Sequence, residues 1–202
     1  MEKNRLVAFG CSFTYGSGLP DCFHPVHGQG KHPSKIGWVQ LLADKLDLTA
    51  HNMSVPGSSN LEILYNLLKF EFKPSDTVVV MWSLPNRDLF FKKYSFKHEF
   101  QLGLWKSDKL SKRWINALDE HDQGIKSWIS MHHADTVLKQ AGVKYLHIPS
   151  HPRELIPHRP KFINIDNLDL EGLIQVDNGL DPHPGIESNK LTAEKIYNIL
   201  CK

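Results

Sequence analysis

Three unbroken apolar runs stand out along the chain: "LVAF" at Leu6–Phe9, "TVVVMW" at Thr77–Trp82 and "VKYLHIP" at Val143–Pro149. They do not alternate strictly with polar residues and are rich in β-branched side chains. They therefore predict strands buried on both faces, as in a parallel sheet covered by helices. Between them the apolar positions return every three or four residues. That spacing predicts helices over "GWVQLLADKLDL" from Gly37, "NLEILYNLLKFEF" from Asn60 and "SWISMHHADTVLKQAG" from Ser127, the last stopped by Gly142. A shorter segment, "TAHNMS", falls where a second strand belongs, and "TAEKIYNILCK" reads as an amphipathic helix capped by Thr192. Alternating strands and helices imply an α/β fold: a three-layer α/β/α sandwich around a central, mostly parallel sheet with right-handed crossovers.

Some stretches break the alternation. The loop from Pro20 to Ser34 mixes Pro20, Pro25 and Pro33 with His24, His27 and His32, and Arg153 to Pro160 repeats the mixture; both read as long surface loops. A segment at about 88–115 interleaves Phe90, Phe91, Tyr94, Phe96, Phe100, Trp105 and Trp114 with lysines and Arg113, and reads as an insertion packed over the sheet edge. With 202 residues, 41% of them hydrophobic, and no repeat or linker, the chain is expected to form one domain over 1–202.

Charge narrows the function classes. The 24 basic and 22 acidic side chains nearly cancel, so no overall field calls for nucleic acid or an anionic membrane. The aromatic and basic segment could stack bases and track phosphates. Aromatics filling a lid or core, with lysines on the solvated face, is the reading preferred here. The three cysteines, Cys11, Cys22 and Cys201, are too few and scattered for a disulfide framework, which fits a reducing compartment. The opening "MEKNRLVAFG" contains neither a signal-peptide core nor a membrane span, so the expected location is the cytoplasm.

In open α/β sheets ligands sit beyond the carboxyl ends of the strands, which directs attention to the residues that follow each one. "GCSFT" follows the first strand, "NMSVPGSSN" the second and "WSLPNRD" the third, and "DPHPG" precedes the last helix. On one rim these would assemble a hydroxyl nucleophile, an imidazole base with a carboxylate to orient it, and hydrogen-bond donors for an oxyanion. That is the inventory of acyl transfer.

These blocks, in this order, resemble those of the SGNH hydrolases, also called the GDSL esterase/lipase superfamily. The resemblance covers most of the chain. It implies Ser12 as nucleophile and, through its N–H, one oxyanion donor; Gly57 as a second donor; Asn86 as a third; and His183 as base with Asp181 as its partner. The sequence departs from the commoner pattern at Cys11, where aspartate is usual, at the spacing of two rather than three between Asp181 and His183, and in "WSLPNRD", where Asn86 comes into register only with about one inserted residue. If the register shifts, Arg87 or Asn60 supplies the donor instead. Asn60, Trp82 and Arg87 are the candidate substrate-binding residues.

The expectation is a serine esterase that hydrolyses a carboxylic ester through an acyl-enzyme. A small acyl group on a carbohydrate is the leading substrate, and no cofactor or metal is required. The alternatives are an O-acyltransferase using the same residues, and a non-catalytic carbohydrate-binding or assembly protein on the same fold. Cys11 as a thiolate nucleophile is disfavoured, because it neighbours Ser12 and so points to the other side, into the core. His24, His27 and His32, like His132 and His133, lack the spacing and third acid of a zinc site and read as solvated. Gly10, Gly16 and Gly18 do not have the dinucleotide-binding spacing.

Overall fold

The structure, a computed structural model, describes residues 3–24, 30–91, 98–103, 109–117 and 119–202. Strand β1 (Arg5–Phe9) leads into the single turn of helix α1 (Ser12–Tyr15), followed by α2 (Trp38–Leu46), β2 (Thr49–Asn52), α3 (Asn60–Leu68) and β3 (Thr77–Trp82). Next come β4 (Arg87–Phe91), β5 (His98–Gly103), α4 (Lys109–Asn116), α5 (Glu120–Ala141), β6 (Lys144–Pro149), α6 (Pro152–Leu155) and α7 (Ile186–Leu200).

The central sheet has the order β2-β1-β3-β6, and every pair in it is parallel. The apolar run of β3 explains itself here. Val78, Val80 and Trp82 point to the face covered by α3 and α5, where they meet Phe9, Leu67, Trp128 and Leu138. Val79 and Met81 point to the opposite face, against Leu42 of α2 and Ile196 of α7. With helices on both faces there is no solvated side for polar residues to occupy. The architecture is the expected three-layer α/β/α sandwich.

Three helix boundaries differ from the pattern reading. Helix α7 begins at Ile186, so Thr192 is not its cap; it is buried in the helix, and its hydroxyl reaches the backbone of Ile174 at 3.4 Å. Helix α5 starts at Glu120 because the Asp119 carboxylate accepts the N–H groups of His121 and Asp122. Helix α3 stops at Leu68; Phe70 and Phe72 lie beyond it and pack on Phe9, with ring centroids 5.7 and 6.1 Å away. Of the aromatic and basic segment, the described parts form a separate antiparallel β4–β5 pair and α4. Tyr94, Phe96 and Trp105 lie outside the described residues.

Candidate active site

All four central strands point their carboxyl ends at one rim, and hydrogen bonds between the following loops draw the candidate residues together. Ser12 is the first residue of α1, so its N–H has no partner within the helix. Its side chain is buried, and among the described residues its hydroxyl makes no hydrogen bond. Cys11 is buried in the core, as expected of a side chain pointing the other way.

The loop after β2 is held against the end of β1. Met53 N–H donates to the Ala8 carbonyl at 2.8 Å, Val55 N–H to that of Gly10 at 3.1 Å, and the Asn52 amide to that of Thr14 at 2.8 Å. Gly57 turns this loop with a φ of 80°, a left-handed conformation that a side chain would strain. The loop after β3 is in turn clamped to that one. Arg87 Nη1 donates to Ser83 Oγ at 2.8 Å and lies 3.5 Å from the Ser58 carbonyl. Asn60 accepts the Ser83 N–H at 2.7 Å and donates to the Ser83 carbonyl at 3.1 Å and to Ser127 Oγ at 2.9 Å. Asn86 sits half-buried between Pro85 and β4, and among the described residues its amide is uncommitted.

The "DPHPG" loop closes on the same rim. Leu180 N–H donates to the Gly18 carbonyl at 2.8 Å, and Gly179 N–H to that of His183 at 2.7 Å. Gly18 has no room for a side chain: a Cβ there would stand 2.2 Å from Asp181 Oδ1. Asp181 Oδ1 accepts both the main-chain N–H of His183, at 3.0 Å, and its ring Nδ1, at 2.9 Å. A carboxylate can only accept, so Nδ1 carries the proton and Nε2 is left as the basic nitrogen. The spacing of two residues therefore supports a well-formed Asp–His pair. Phe13, the neighbour of Ser12, meets the His183 ring edge-on at 5.4 Å.

No protein-family model matches the chain, and no curated protein matches it in sequence. Solved structures do match. An acetyl xylan esterase from the rumen bacterium Butyrivibrio proteoclasticus superposes with a TM-score of 0.59 at 13% identity, over 99% of this chain and 64% of its own. A carbohydrate esterase described as displaying divergent catalytic and non-catalytic binding functions gives 0.58 at 13% identity, over 100% of this chain and 65% of its own. A protein assigned to the G-D-S-L lipolytic family from Desulfitobacterium hafniense gives 0.52 at 13% identity, over 97% of this chain and 99% of its own. The chain has the SGNH/GDSL hydrolase fold. It spans less than two thirds of the length of the two carbohydrate esterases.

Two of the residues expected to touch substrate are buried and hydrogen-bonded within the SGNH fold. Trp82 is wholly buried, and its indole N–H donates to His147 Nδ1 at 3.1 Å. Asn60 is likewise buried, its amide committed to Ser83 and Ser127, whereas the amide of Asn86 is uncommitted among the described residues. Arg87 ties two loops together rather than standing as an open cation.

His151 is the residue that pattern reading missed. It follows β6 just as Ser12 follows β1, and its ring lies 5.4 Å from Phe13, so Phe13 touches both it and His183. Burial, aided by the charge of Arg87, pushes its pKa below the ordinary imidazole range. Its Nδ1 is 2.9 Å from Ser150 Oγ. Applied to "SHP" after β6, the strand-end rule that singled out the other loops would have found this residue. His27 lies outside the described residues, and among those described no group of three or more His, Cys, Asp or Glu side chains could hold a metal ion. Nor, among them, is any helix long and apolar enough to cross a membrane.

Proposed function

We propose that the protein is a serine esterase, hydrolysing a small acyl ester of a carbohydrate or similar alcohol through an acyl-enzyme. The observation that carries this is the Asp181–His183 pair, bonded through Nδ1 at 2.9 Å and held to Gly18 on the loop that follows α1. The imidazole Nε2 takes the Ser12 proton as Oγ attacks the ester carbonyl, and Asp181 fixes the tautomer and stabilises the imidazolium. The N–H groups of Ser12 and Gly57 and the Asn86 amide receive the negative charge on the carbonyl oxygen. His183 returns the proton to the departing alcohol, then activates the water that releases the acyl group.

A fluorophosphonate probe should label Ser12 in the folded protein, and a chromogenic acetyl ester should be hydrolysed. Both signals should vanish in Ser12→Ala. Labelling or turnover that survives this substitution rules the reading out.

A further inference from the structure

Behind the loops that carry Gly57 and Asn86, a cavity of about 200 Å³ opens between α3, the start of β4 and α5. It is smaller than the roughly 300–1,000 Å³ of a pocket for a drug-sized ligand, and suits one small ring. Arg87, next in sequence to Asn86, lines it, as does Asn60, three residues past Gly57. The telling residue is Gln123, in the first turns of α5. It lines the cavity with only 7% of its surface exposed, and among the described residues its side-chain amide has no hydrogen-bond partner. Neither end of that amide is engaged among those residues, so both its donor and its acceptor are open to a ligand in the cavity.

The walls say what that ligand is. Their charges balance: Lys126 pairs with Asp122 at 2.6 Å, and the lining carries the carboxylate of Asp88 as well as the guanidinium of Arg87. No net positive charge is left to favour a phosphate or carboxylate. Leu61 and Ile129, 40% and 54% exposed, add apolar surface to the same cavity. A neutral amide donor and acceptor beside apolar contacts matches a molecule with hydroxyls on its edge and C–H groups on its face.

We propose that this cavity is a subsite for one pyranose ring of the ester's alcohol portion, with the Gln123 amide reading its hydroxyls. The assignment to the substrate rests on the esterase reading; the binding of a sugar here does not. The test therefore has two arms. In the first, methyl β-xylopyranoside and methyl β-glucopyranoside, which carry no ester, are titrated into ¹⁵N-labelled wild-type protein, with inorganic phosphate in parallel. Either sugar should shift the Gln123 side-chain resonances and the amides of Ile129 and Ser130, and phosphate should not. Gln123→Leu should weaken the sugar's binding roughly tenfold, the loss expected of one well-placed hydrogen-bonding group. Ile129→Arg, at an exposed position on the mouth, should do the same and keeps the question decidable if Gln123→Leu fails to fold.

In the second arm, the ratio of kcat/KM for an acetylated methyl pyranoside to that for phenyl acetate should fall about tenfold in each variant. Sugar shifts absent from this cavity, shifts produced by phosphate instead, or an unchanged ratio would overturn the subsite while turnover stands. Sugar shifts with no ester turnover would keep the subsite as a sugar site and overturn the esterase.

Discussion

Two Asp–His pairs among the described residues share a chemistry and differ in everything around it. Asp181 and His183 stand on the rim, their side chains 24% and 27% exposed, with Nδ1 on the carboxylate and Nε2 without a partner among the described residues. Asp135 of α5 and His147 of β6 are at 1% and 0% exposure, the His147 Nε2 3.7 Å from Asp135 Oδ1. There the indole of Trp82 occupies Nδ1, so the proton sits on Nε2 and the ring has no basic nitrogen to offer. Burial pushes the His147 pKa down more than Asp135 pulls it up, which keeps the ring neutral. Burial would also raise Asp135, but the His147 ring facing it at 3.7 Å and hydrogen bonds from Lys139 and Tyr145 outweigh it and hold the carboxyl at about 2. Tyr145, buried and donating to the same carboxylate, is pushed up to about 12. Proximity of an acid to an imidazole therefore does not make a catalytic site. What decides is which nitrogen is engaged and whether anything can reach the other.

The sharpest way to break this contrast is to remove each histidine. Under the esterase reading, His183→Ala should cut turnover of an acetyl ester by about 10⁶-fold with the melting temperature nearly unchanged. His147→Gln should lower the melting temperature and leave the folded fraction active. Asp181→Asn comes next, with a loss of about 10⁴-fold if the carboxylate sets the tautomer. A loss of only a few fold would mean that Ser12 and His183 work as a dyad.

Two asparagines sharpen the same contrast between open and committed groups. Asn86→Ala should lower kcat by about 10²- to 10³-fold with little change in KM, as expected for a donor used in the transition state. Asn60→Ala should instead lower stability by about 1–3 kcal/mol, because it strips a buried partner from the Ser83 N–H. Interchanged outcomes in chemical denaturation and kinetics would move the oxyanion role to Asn60. The smallest effect concerns pH. The folded His147 value lies below the unfolded value of about 6.5, so the contribution of its neutral ring is complete above that pH and is lost as pH falls through it towards the folded value. The thermal stability of wild type should fall as pH drops below about 6.5. In His147→Gln that slope should flatten, with Asp135 still ionised throughout.

Strands β1, β3 and β6 were legible because both their faces are buried, which leaves an apolar run that no helix mimics at that length. "DPHPG" was legible because acid, base and turn are written within five residues. What escaped was decided at a distance. Helix α7 starts at Ile186 because the Asp177 carboxylate accepts the N–H groups of Glu187 and Ser188 at 3.1 and 2.7 Å, ten and eleven residues away in sequence. The apolar spacing at Phe70 and Phe72 mimicked more helix, yet those rings answer to Phe9 in another strand. The commitment of Asn60 to Ser83 and Ser127, 23 and 67 residues on, leaves no mark on its own neighbourhood, so it looked as available as Asn86.

One oxygen, Asp181 Oδ1, receives both the main-chain and the ring N–H of His183. The imidazole thereby takes its heading from the peptide it belongs to, as a compass needle fixed to its own case. Warming that loosens the loop would carry carboxylate and ring away from Ser12 together, with the bond between them intact. Heat inactivation would then begin as a loss of alignment between two sound halves, reversible on cooling, before either half comes apart.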